Sequence, residues 1–213
     1  MKGVFVTGTD TGVGKTFFSC CLIEFLKNSG INVLGFKPVE TGCSRSCEDA
    51  EKLSRASGVY LEPVYSLKEP LAPSVASELE GLSIDVERLV DRCKELLFHS
   101  PAVVEGAGGI MVPITWEFSF LDLAKELSLP VVVVALNKLG VINHTLLTVN
   151  ACSIAGLEVR GVVLNSFQKF DKSFNTNLYS LRKLLKVPVV PLFSCQDIKV
   201  AVEELNLLEI FLQ

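Results

Sequence analysis

The stretch Thr7-Gly8-Thr9-Asp10-Thr11-Gly12-Val13-Gly14-Lys15-Thr16 decides how the rest of the chain is read. It follows an apolar run, Val4-Phe5-Val6, and opens a segment where Phe18, Cys21, Leu22, Phe25 and Leu26 recur at three-and-four spacing up to Asn28. That pattern is a strand, a glycine-rich turn and a helix with one buried stripe. Glycines 8, 12 and 14 permit positive φ and close approach of backbone to an anion. The free N–H groups and positive dipole end of the helix attract phosphate oxygens. Lys15 can reach the β and γ phosphates, and the Thr16 hydroxyl can ligate Mg²⁺. Five residues rather than four separate Gly8 from Gly14, and Thr9 stands where the first glycine of a phosphate loop is expected. A glycine-rich turn without a ligand is the bland alternative. Gly-Lys-Thr opening a helix directly after a strand argues for a bound nucleoside triphosphate.

Outward from this loop, short β-rich runs at 33–36, 102–104, 131–135, 159–164 and 187–190 alternate with helical patterns. The helices are expected near 48, over about 84–99, and at 118–127, 142–155, 175–185 and 200–208. Such alternation predicts an α/β fold: a P-loop NTPase-type, mainly parallel sheet with helices on both faces. One domain over 1–213 is the economical organisation, and the Pro-rich stretch 63–73 reads as an ordered surface loop.

Composition narrows the function. The 213 residues are 49% apolar and 21% charged, which excludes a disordered chain. A net charge of −4 offers no basic excess for a phosphate backbone, so nucleic acid is not an expected partner. Mean hydropathy is +0.42. The longest unbroken apolar run, 131–136, is nevertheless far short of the ~20 residues of a spanning helix. No membrane partner is expected, and the hydropathy fits strands buried on both faces. The seven cysteines form no CxxC pair, Cys43 and Cys47 coming nearest to a metal spacing. They read as reduced thiols, and the chain as cytoplasmic.

Two more segments fall at strand ends, outside which ligands bind in open α/β sheets. Lys37, in Lys37-Pro38-Val39-Glu40-Thr41-Gly42, would lie beside the phosphate loop, facing the γ-phosphate or a substrate acid, unless it merely ends its strand in solvent. Glu105, in Val104-Glu105-Gly106-Ala107-Gly108-Gly109, suits a magnesium ligand opposite Thr16, or a strand-capping carboxylate.

With these segments the chain resembles the dethiobiotin synthetase family, whose long phosphate loop shares this spacing. The matching pieces, in the family's order, are the phosphate loop, Lys37-Pro38-Val39 with Gly42, Glu105 to Gly109, and Lys138-Leu139-Gly140-Val141-Ile142-Asn143-His144. The resemblance implies a ligase that uses ATP, Mg²⁺ and CO₂ to close a ureido ring on 7,8-diaminononanoate through a carbamate and a carbamic-phosphoric anhydride. Lys15 and Lys37 become the catalytic cations, and Thr16, Asp49 and Glu105 the metal ligands. Neighbouring Glu48 and Glu51 leave the third acidic ligand less fixed than the others. ATP is expected on Gly12, Val13, Gly14, Lys15, Thr16 and Phe17, on Asp49, and on Glu105, Gly106, Ala107 and Gly108. Adenine is expected against Asn165, Pro191, Leu192 and Phe193. The diamine is expected on Thr11, Lys37 and Thr41, with its far carboxylate on Gly140, Val141 and Asn143 of a second subunit. A homodimer with active sites at the interface follows. Asn143 could equally be an ordinary helix cap, and His144 reads as structural.

Three departures matter. Some relatives carry Glu where this chain has Gly12, so any contact of that side chain is absent. Gly140 replaces the aspartate of the guanine-reading Asn-Lys-x-Asp pattern, which disfavours GTP. Asp10 stands where partner-switching ATPases of the ParA/MinD type carry a lysine, and the 203–210 end is acidic rather than basic. Amide-forming relatives of cobyrinate synthesis usually carry a glutaminase domain, for which 213 residues leave no room.

Overall fold

The computed structural model describes residues 2–167, 171–193 and 197–204. Its elements in chain order are β1 (Gly3–Gly8), α1 (Lys15–Asn28), β2 (Leu34–Phe36), β3 (Val39–Thr41), α2 (Glu48–Ser57) and β4 (Tyr65–Leu67). Then come α3 (Pro73–Leu79), α4 (Val86–His99), β5 (Ala102–Gly109), β6 (Pro113–Thr115), β7 (Phe118–Ser119) and α5 (Phe120–Leu127). The last are β8 (Val131–Leu136), α6 (Val141–Ile154), β9 (Val159–Asn165), α7 (Phe174–Leu184), β10 (Val189–Leu192) and α8 (Ile198–Glu204).

Six strands form one parallel sheet in the order β10-β9-β8-β1-β5-β2. Period-two alternation divides their side chains between two cores. Val4 and Val6 of β1 pack with Val103, Val132, Val134 and Val163 under α1, against Phe18, Cys21 and Leu22. Phe5 points the other way, into a core with Val104, Val133 and Leu164 that α4, α5, α6 and α7 cover through Leu89, Leu123, Val149 and Leu181. Burial on both faces explains the hydropathy, and no helix of the described residues is long and apolar enough to cross a membrane.

The order places the ends of β1, β5 and β2 side by side, because β1 pairs with β5 and β5 with β2. Val6 of β1 lies level with Glu105 of β5. The loop after β1 and the loop after β2 therefore open at the same end of the sheet, flanking Glu105.

Several expectations change in detail. The 63–73 stretch is not only loop: it contains β4, which pairs in parallel with β3, and the proline at the start of α3. Residues 118–119 are strand, because Ser119 caps α5 with Asp122 in a reciprocal box that stops the helix running further back. The expected reduced state of all seven cysteines is corrected: Cys43 and Cys47 are joined by a disulfide, their Cα atoms 4.7 Å apart, a spacing that permits the bridge. Cys20, Cys21, Cys93 and Cys152 are free and buried. Cys195 and the 205–210 part of the acidic end lie outside the described residues.

Candidate active site

No side chain caps α1, whose N-cap is Gly14 at φ 95°, and Gly12 also has positive φ, at 72°. The first N–H groups of the helix are thus left for an anion. A Cβ on Gly14 would come within 2.3 Å of Asn165 Nδ2, so glycine is required there both by φ and by space. Asn165, at the end of β9, donates from Nδ2 to Val13 O at 2.9 Å and so braces the loop from behind.

Lys15, in the first turn of α1, donates from Nζ to Asp10 O at 3.1 Å. Burial, then repulsion from Lys37, pulls its ammonium down to about 8. Lys37 is buried too, but Nζ donates to Glu105 Oε1 at 2.6 Å, Asp49 Oδ2 at 3.1 Å and Gly106 O at 3.1 Å. Burial alone would lower it; Glu105 and then Asp49 outweigh that and hold it above the usual lysine range. Burial likewise works to raise Asp49, but Lys37 prevails and its carboxyl lies below the ordinary range. Thr16 Oγ1 donates to Glu105 Oε1 at 2.9 Å. One hydroxyl and two carboxylates, all hard oxygen donors brought together, suit magnesium, which keeps several waters and needs few protein ligands.

These groups form one end of a cavity of about 1110 Å³. Lys15, Thr16, Lys37 and Asp49 line it, together with Thr11, Gly12, Gly14, Phe17, Thr41, Ala107 and Gly108. Glu105 is fully buried at the edge of the cavity, bonded to Thr16 and Lys37, which line it. Val13, Gly106 and Asn165 stand behind the wall rather than in it, and Pro191 and Leu192 continue the β10 edge beside Asn165, with Phe193 exposed. Gly140, Val141 and Asn143 are absent from the wall of their own chain's cavity. Gly140, at φ 93°, is the N-cap of α6; Asn143 is exposed and does not cap. Both Asn143 and His144 are open to solvent.

Sequence reasoning missed three contributors. Ser19, fully buried one turn beyond Thr16, donates to Glu105 Oε2 at 2.6 Å; its place on the loop-facing side of α1 was the available signal. Pro70, Leu71, Ala72 and Pro73 wall the cavity opposite the phosphate loop. Glu40 lies in the wall with its carboxylate on the backbone of α2.

A parallel sheet with a phosphate loop after its first strand, two buried lysines and a strand-end carboxylate defines a P-loop nucleotide-binding enzyme. A family model described as an AAA domain matches residues 2–194. Among curated proteins, an ATP-dependent dethiobiotin synthetase of Anaeromyxobacter dehalogenans is 45% identical over 172 residues, 78% of this chain and 77% of the relative. Those of Bacillus licheniformis and Akkermansia muciniphila are 45% and 40% identical, covering 89% of this chain and 84% and 91% of theirs. The chain belongs to the dethiobiotin synthetase family, ATP-dependent ligases of biotin biosynthesis that form carbon–nitrogen bonds. Among solved structures, chloroplast FtsY from Physcomitrella patens superposes with a TM-score of 0.51 at 17% identity, over 98% of this chain and 64% of that one, just under two thirds of its length. That likeness concerns the fold alone.

Proposed function

We propose that this chain, as one catalytic domain acting in the cytoplasm, converts 7,8-diaminononanoate, CO₂ and ATP to dethiobiotin, ADP and phosphate. The observation that carries the reading is the gathering of Lys15, Lys37, Thr16, Asp49 and Glu105 at one end of a cavity that continues to Thr11, Thr41 and Leu71. Its phosphate end is matched to a triphosphate, and beyond it there is room for a slender amino acid.

In the proposed sequence one substrate amine adds to CO₂, losing a proton and forming a carbamate. A carbamate oxygen takes the γ-phosphoryl group and ADP departs. The second amine then attacks the carbamoyl carbon, phosphate leaves, and the cyclic urea closes. Carbamate and γ-phosphate are both anions, so their approach depends on cations placed beforehand. Lys15 binds the β and γ oxygens from the loop. Lys37 stands between the phosphate end and the substrate end, where its ammonium offsets charge on carbamate and phosphoryl oxygens together. Thr16, Asp49 and Glu105 would hold Mg²⁺, which supplies neutralisation of phosphate charge. Thr11 and Thr41 present hydroxyls to the diamine or its carbamate. Asn165, whose amide braces the loop at Val13 O, would meet adenine beside Pro191, Leu192 and Phe193. The α6 N-terminus with Gly140, Val141 and Asn143 would hold the far carboxylate of a diamine bound to the second subunit of a homodimer.

Incubation with diaminononanoate, bicarbonate, Mg²⁺ and ATP is expected to give dethiobiotin and phosphate in equal amounts. ATP hydrolysis indifferent to the diamine would reject the ligase reading. The Lys37→Ala variant should lose product formation by about 10²-fold or more while still binding ATP. Unchanged turnover in that variant removes Lys37 from the chemistry.

A further inference from the structure

We infer that Glu40 is a positioning residue that sets Asp49 in the metal site by serving as the N-terminal cap of α2 from a neighbouring strand. The inference rests on the reading of Asp49 as a magnesium ligand. α2 begins at Glu48 with Cys47 at the cap position, and no side chain at that position bonds the first turn. A helix start leaves its first N–H groups without partners. Here two of them are taken by Glu40: Asp49 N–H donates to Oε1 at 2.8 Å, and Ala50 N–H donates to Oε2 at 2.9 Å. Carboxylate-to-amide bonds of this kind are stronger than neutral ones, and the positive end of the helix favours the negative charge.

The consequence for the site is geometric. Lys37 binds the Asp49 carboxylate at 3.1 Å while Glu40, three residues further along, binds the Asp49 backbone. One short segment thus grips the residue at both ends. Glu40 is 5% exposed, so an unpaired donor left by its removal would have little access to water. A local Ser, Asp or Thr cap would hold the helix turn equally well. A cap from β3 also fixes where that turn lies relative to Lys37 and Thr41, which share the segment.

The test is calorimetric titration of Mg²⁺ into the ADP complex of the full chain, comparing wild type with Glu40→Gln and Asp49→Asn. Gln keeps the size of the side chain but turns an NH₂ toward an N–H. Both variants should weaken Mg²⁺ affinity by about tenfold or more, as expected for a ligand and for the group that orients it. ADP affinity in EDTA should stay within twofold in Glu40→Gln, since the loop on α1 is untouched. Amide hydrogen exchange at 49 and 50 should quicken in Glu40→Gln. Cys47→Asp supplies a local cap but also opens the Cys43–Cys47 bridge, so Cys47→Asp alone is the reference. On that background Glu40→Gln should cost less than threefold in Mg²⁺ affinity, an effect that a general loss of packing would not show. Weakening by Asp49→Asn with none by Glu40→Gln overturns the inference and leaves the ligand reading intact. No weakening by Asp49→Asn removes the ligand reading, and the inference with it. If Glu40→Gln does not fold, Glu40→Ala with Cys47→Asp takes its place; it should bind Mg²⁺ within threefold of the Cys47→Asp variant, which lacks the same bridge, and failure to do so in a folded protein overturns the inference.

Discussion

Lys15 and Lys37 are both buried lysines within one charge cluster, yet they are shifted in opposite directions. Lys37 has two carboxylates at bonding distance, whereas among the described residues Lys15 bonds the carbonyl of Asp10 and no carboxylate. The difference makes Lys15 the titrating group of the free protein, at about 8. In an unfolded chain its value is the ordinary 10.5, so between about 8 and 10.5 the unfolded state binds more protons. The cost of burying this ammonium is fully present below about 8 and fades as pH rises toward 10.5, so this group alone makes stability increase with pH across that window. Nucleotide binding runs the other way, because the triphosphate needs the ammonium form. ATP affinity, measured by calorimetry, should be level below pH 7.5 and fall above about 8 by roughly tenfold per pH unit, with proton uptake on binding. Lys15→Arg, which stays charged, should flatten the profile. A wild-type affinity independent of pH from 7 to 9.5 would show that Lys15 is not the group that meets the phosphates.

At the scale of elements, β2 is the strand most tightly tied to the site, because Lys37 follows it directly. It passes beneath α1 and α2 at Gly35, where a Cβ would meet Ile23 Cδ1 at 2.8 Å and Leu53 Cβ at 2.9 Å. Gly35→Val should therefore push both helices outward, destabilising the protein by about 1–3 kcal/mol. Urea unfolding should show a lower midpoint at unchanged slope, and an unchanged midpoint would mean that the helices give way freely. The periodicity of α1 was legible to the residue, because one stripe of apolar side chains faces one sheet. The six strands of the sheet were legible as apolar runs between helices, but not their ends: β5 continues to Gly109, and β10 spans Val189–Leu192 rather than 187–190. β3, β4, β6 and β7 were not: two or three residues are too few to show alternation, and their pairing depends on neighbours distant in sequence. The same divide runs through the site. Lys37 and Glu105 could be placed because strand ends converge in such a sheet. The Glu40 cap and the Cys43–Cys47 bridge could not, since they depend on how a loop is folded over the sheet edge rather than on any spacing; the Ser19 bond to Glu105 follows from helix spacing one turn beyond Thr16.

At the scale of the whole molecule, the α6 start carrying Gly140, Val141 and Asn143 adds nothing to the cavity wall of its own chain, although Leu139 and Leu147 beside it are 77% and 60% exposed. An exposed apolar face next to a helix start whose N–H groups no side chain caps fits a surface offered to a second copy. If the proposed dimer shares its sites in this way, the two halves of one site can be disabled on different chains. Asn143→Asp places a negative charge in the first turn of α6, where the helix tolerates it but a substrate carboxylate is repelled. Its KM for the diamine should rise by about tenfold, with ATP affinity unchanged. Lys37→Ala disables the phosphate side instead. Assayed with diamine well below its KM, where each variant alone keeps about a tenth of wild-type activity or less, an equal mixture whose subunits have exchanged should recover about a quarter of wild-type activity. Half of the dimers are then mixed, and in each of these one site carries both lesions and the other neither. No recovery, with exchange confirmed by mass spectrometry of tagged subunits, would mean that each chain completes its own site and that the far carboxylate is held elsewhere.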